Sequence, residues 1–137
     1  EMQKERLNGH YYPWDEEKLR LEYGETPTYS IYQLKPQNYG RLFMSYHRTK
    51  EKGFTVKAND YELAYIADNA DGRDLDEIYE EFNLDRPDDF CGHSLSVSDV
   101  IAYKHEDGST EAYFVDSYGF EYLPDFFGAA QKKPAQM

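Results

Sequence analysis

The residues able to do nucleophilic or acid–base chemistry crowd into one short run, in which Cys91, His93, Ser94, Ser96 and Asp99 follow one another closely. A thiol near an imidazole reads as a nucleophile with its base, if the side chains meet and a third group orients the ring. Nearness in sequence establishes neither condition, so the expected state of Cys91 is a small buried thiol beside a loop histidine. A hydroxyl, an imidazole and a carboxylate also stand together in His93-Ser94-Leu95-Ser96-Val97-Ser98-Asp99, with Asp116 available from further along the chain. A Ser-His-Asp triad is defined by geometry rather than local spacing, and no G-x-S-x-G elbow occurs here. The alternation of Ser94, Ser96 and Ser98 places three hydroxyls on one face of a strand, or turns them onto the backbone at a bend. His93, Ser94, Ser96, Asp99 and Asp116 are therefore a candidate functional loop whose expected role is structural. A small enzyme with a polar site around His93, Ser96, Asp99 and Asp116 is the alternative reading.

Other chemistries find less support. His10, His47, His93 and His105 are scattered, with no i,i+4 pair and no H-E-x-x-H. Asp68-Asn69-Ala70-Asp71-Gly72 lacks the register and closing Glu of a calcium loop. Cys91 is the single cysteine, which excludes an intramolecular disulfide and a cysteine-rich zinc site. Phosphate-cradling glycine patterns are missing as well. No metal and no cofactor is expected.

Charge points to a different kind of function. The net charge is −12, and it is unevenly spread. Residues 28–59 carry six cations against Glu51 alone, whereas residues 60–125 carry nineteen acids against Arg73, Arg86 and Lys104. Such an acidic block repels nucleic acid phosphates, so no direct nucleic acid binding is expected. It suits a protein partner with a basic surface, although acidic solvated faces are common in themselves. The densest acids, Asp76, Glu77, Glu80 and Glu81, form the candidate interaction face. No apolar run is long enough for a bilayer and none follows Glu1-Met2-Gln3 as a secretory signal, so a cytoplasmic protein without membrane contact is expected.

The elements that must position these residues form one domain. Thr28 to Leu34 alternates as a strand, with Tyr29, Ile31 and Gln33 on one side and Ser30, Tyr32 and Leu34 on the other. A helix is expected from Arg41 to Lys52, closed by Gly53. Tyr61 to Ala67 is a second strand, with Tyr61, Leu63 and Tyr65 on a shared face. Asp74 and Glu77 form a capping-box pair for a helix whose Leu75, Ile78, Tyr79 and Phe82 make one apolar stripe. Leu95 to Lys104 reads as a strand, Asp107-Gly108 as a hairpin turn, Glu111 to Asp116 as its partner and Phe120 to Leu123 as a last strand. The expectation is an α+β fold in the order β-α-β-α-β-β-β, a mixed sheet of about four to five strands with two helices on one face. Residues 1–27 read as an appendage, possessing a short helix from Pro13 to Leu21, then 28–127 as the domain and 128–137 as a linker-like tail.

Several stretches of this domain resemble the YodL-like domain. They are Asn59 to Tyr65, Leu75 to Asn83, Arg86 to Phe90, Gly92 to Val100 and Tyr113 to Phe120, of which GHSLSVSDV and VDSYGF are the most distinctive. The resemblance implies a bacterial module of long multidomain proteins carried by conjugative elements and phages, acting when the element enters a new host. It supplies no catalytic residues. Together with the charge, it implies a non-catalytic protein-interaction module, with a structural adaptor domain as a further alternative.

Overall fold

In a computed structural model, residues 26–84, 87, 90 and 92–128 are described. Residues 1–25 of the appendage, with its expected helix, most of the tail, Arg86 and Cys91 lie outside the described residues.

Seven main elements follow in order: β1 (Thr28–Leu34), α1 (Tyr46–Glu51), β2 (Tyr61–Asp68), α2 (Leu75–Leu84), β3 (Val100–Lys104), β4 (Thr110–Val115) and β5 (Phe120–Tyr122). Two 3-10 turns, Pro36–Arg41 and Ala58–Asp60, fill the connections on either side of α1. The strands form one sheet in the order β2-β1-β3-β4-β5. The fold is α+β, as expected, but every pairing is antiparallel rather than mixed. The physical reason is that β2 and β3 flank β1 on opposite sides and both run against it.

Flanked by β2 and β3, β1 is covered on both faces along almost its whole length. Period-two alternation sends Tyr32 and Leu34 to a first face with Val100, Ala102, Ala112 and Phe114. It sends Tyr29 and Ile31 to a second face with Ile101 and Val115. The two helices take different faces, which corrects the expectation of a shared one. Tyr46 of α1 meets the edge of Phe114 at 5.3 Å on the first face. Ile78 and Phe82 of α2 are fully buried on the second, where Phe82 meets Tyr29, Tyr65 and Phe90 edge-on. Apolar side chains on both faces of a strand require cover on both.

A bulge alters β2. Its register slips between Ile31 and Tyr32, so Ala64 has no paired partner of its own and joins Tyr65 on the second face. Tyr65 is thereby separated from Tyr61, which lies in the first-face core.

The expected helix from Arg41 begins later and is shorter. Pro36 starts a 3-10 turn, Phe43 adopts a left-handed backbone (φ 67°), and Ser45 then caps α1 by accepting from Arg48 N at 3.1 Å. Its far end is the Gly53 cap: Gly53 N donates to Lys50 O and Phe54 N to Thr49 O, with φ 87° at the glycine. Strand β3 is also shorter than expected, because the chain from Ser94 to Asp99 bends instead of extending.

Candidate functional site

That bend holds most of the candidate loop. Asp99, completely buried, accepts at Oδ2 from Ser96 N at 2.8 Å, and Asp99 N donates back to Ser96 O at 3.0 Å. This side-chain-to-backbone closure competes with strand pairing and ends β3 at Val100. Ser98 completes the bend with φ 92°, a left-handed conformation that a non-glycine residue adopts only under constraint. Three contacts supply the constraint: Ser98 N donates to Val115 O, Tyr61 Oη donates to Ser98 O at 2.7 Å, and Phe43 N donates to Val97 O. Phe43 N also reaches Ser98 Oγ at 3.3 Å, so the two left-handed non-glycine residues hold each other across two loops.

Gln33 organises the other side. Its Nε2 donates to His93 O at 2.8 Å and to Asp99 Oδ2 at 3.1 Å, while its Oε1 accepts from His93 N at 3.2 Å. One buried amide from β1 thus clamps both ends of the loop. Gly92 makes the approach feasible, since a Cβ there would lie 2.0 Å from Gln33 Oε1. Gln33 was visible in the sequence only as a polar residue at an inward position of an otherwise apolar strand face.

The imidazole of His93 has its Nδ1 at 2.8 Å from Ser94 O and 3.3 Å from the amide Nε2 of Gln33. Its Nε2 lies 3.8 Å from Asp99 Oδ1, and neither atom has a hydrogen-bond partner among the described residues. Burial pushes the Asp99 carboxyl well above the usual carboxylate range, against the opposing hydrogen bonds from Ser96 N and Gln33.

The structure brings together His93, Ser94, Ser96 and Asp99. Ser96 Oγ donates to Ser94 O at 2.8 Å, which engages that hydroxyl with backbone. Asp116 works elsewhere: its Oδ1 accepts from Tyr46 N at 3.0 Å and Ser117 N at 2.8 Å, tying α1 to the end of β4. The Nε2 of His93 faces a carboxylate where a relay would need a nucleophile. Cys91 lies outside the described residues.

The acidic face is built by α2. Its capping box is reciprocal, with Glu77 N donating to Asp74 Oδ1 at 2.8 Å and Asp74 N to Glu77 Oε1 at 2.9 Å. Glu81 pairs with Arg73, whose guanidinium also lies over the Tyr29 ring. Asp76 and Glu80 are exposed and have no partner among the described residues. An open groove of about 440 Å³ runs here, lined by Arg73, Glu77, Glu80, Glu81 and Leu84. A second cavity, of about 460 Å³, opens on the first face of the sheet beside Thr28, Ser30 and Lys104. His93 lines neither cavity.

Among the described residues, no group of three or more His, Cys, Asp or Glu side chains is placed to hold a metal ion. Nor is any described helix long and apolar enough to cross a membrane. No curated protein and no solved structure matches the chain. The profile of the YodL-like domain matches residues 28–126, from the first residue of β1 to the aromatic that closes the first-face core. The chain belongs to the YodL-like domain family.

Proposed function

We propose that this YodL-like domain is a non-catalytic protein-interaction module whose α2 acids engage a basic surface on a protein partner. The carrying observation is that Asp76 and Glu80 stand exposed with no partner among the described residues, at a groove lined by Glu77, Glu80 and Glu81. Unpaired carboxylates around a concavity lower the potential there and favour encounter with cations. The resemblance adds the setting, a module of a multidomain protein from a bacterial conjugative element or phage that meets a host protein in the cytoplasm. Capture from a bacterial lysate at low and high salt tests the reading. Wild-type bait and an Asp76→Lys, Glu80→Lys bait are run side by side. The expected result is a partner released by salt and lost with the reversed bait; a partner held equally by both baits would overturn it.

A second reading, an enzyme acting at His93, is favoured by the unpartnered Nε2 and Asp99 Oδ1. It requires the inward edge of the ring to open to a substrate. Carbethoxylation of His93 at neutral pH reads that access: rapid modification in the folded protein favours the enzyme, and protection removes its basis.

A further inference from the structure

The second face of the sheet carries a row of tyrosines beside α2. Tyr103, Tyr113 and Tyr122 step across β3, β4 and β5 with ring centroids 6.3 and 5.4 Å apart. Tyr122 is 51% exposed, and Tyr79 of α2 is 39% exposed where it meets the edge of Phe120. Carboxylates border these rings on two sides. Glu111 accepts from Tyr113 Oη at 2.5 Å. Burial, then Asp74, Glu111 and Glu77, push the Tyr103 phenol up to about 12, which registers acids from both α2 and β4.

Among the described residues, the cations near this border are committed or turned away. Arg73 is held by Glu81, His105 by Glu111 at 2.6 Å, and Lys104 sits on the opposite face by strand alternation. Asp74 and Glu77 are bonded only to backbone N–H groups of their cap and have no cation partner among the described residues, and aromatic faces edged by such carboxylates suit one cation better than another. A guanidinium is planar and weakly hydrated, so it can stack on a ring while its fork meets a carboxylate. An ammonium is a strongly hydrated point charge and gains less from the ring. We propose that the tyrosine row and its flanking carboxylates form a docking surface for an arginine-rich segment of a protein partner. This rests on the acidic-surface reading above and names the chemistry of the partner.

The test uses two short synthetic peptides, one alternating arginine with glycine and one alternating lysine with glycine, with binding read by fluorescence anisotropy. The arginine peptide is expected to bind the wild-type chain about tenfold more tightly than the lysine peptide. Tyr122→Ala and Tyr79→Ala, checked for folding by circular dichroism, are expected to reduce that preference, and Tyr122→Phe to keep it. Equal binding of the two peptides, or a preference unchanged in both alanine variants, overturns the proposal. If equal binding is also lost in the Asp76→Lys, Glu80→Lys variant, the acidic-surface reading survives without the tyrosine row. If neither peptide binds the wild-type chain, both fall.

Discussion

Asp99 is a carboxyl group without solvent, and its protonation is tied to folding. Its ordinary value is about 3.9, and burial raises it in the folded chain. The folded state therefore binds this proton more tightly than the unfolded state does. Stability from this group is complete below about pH 4 and is lost as pH climbs through the raised folded value. Urea midpoints measured across pH should fall over that window in the wild type, and Asp99→Asn should flatten the fall. An undiminished slope in the variant would assign it to another group. Gly92 offers a second residue-level expectation. Gly92→Ala forces a methyl into Gln33 Oε1 and should cost about 1–3 kcal/mol in urea unfolding, as overpacking does. Both residues lie in the GHSLSVSDV stretch by which the family resemblance was recognised. Their types were legible in the sequence, but their work was not, because the group that unites them, Gln33, lies far away in β1.

Among the elements, α2 was the most readable and α1 the least. The Asp74–Glu77 pair announces its own geometry, since each side chain satisfies the other's backbone N–H within one turn. Asp74→Ala should cost about 1 kcal/mol of stability by thermal or urea unfolding, and an unchanged midpoint would show that the cap contributes nothing. Helix α1 hides its start because Leu42 and Phe43 continue an apolar helical pattern that the backbone abandons at Phe43. That break depends on Val97 O and Ser98 Oγ, partners no local pattern can reveal. For the same reason β3 looked longer than it is. Its alternation is intact from Leu95, but the Asp99 carboxyl closes a bend on Ser96 N before pairing can extend. The bulge at Ala64 is another long-range event, visible only once β2 is laid against β1.

At the scale of the whole molecule, the sequence conveyed the number and kind of elements but not which side of the sheet each helix would take. Both helices carry a single apolar stripe, and a stripe specifies that cover is needed without naming what it covers. The decisive fact was the two-sided burial of β1, hinted at by Tyr29 and Ile31 on one side and Tyr32 and Leu34 on the other. The acidic surface belongs to this scale too. Composition located it in residues 60–125, and the fold puts Asp74 and Glu77 in a cap and Glu81 in an ion pair, whereas Asp76 and Glu80 are exposed with no partner among the described residues.

The place of β1 has one more consequence, for the order of events as the chain is made. The first strand of the domain to be synthesised is an interior strand of the finished sheet, held between β2 and β3. It can pair with β2 early, yet its other edge waits until β3 emerges, well after α2. During that interval a nascent chain holds an apolar strand with one row of backbone donors and acceptors unpaired, the condition under which strands join the wrong neighbour. Closure of β3 onto β1 is the step that ends this exposure, and it is the sheet's pairing of longest sequence separation, the kind of contact whose formation slows folding.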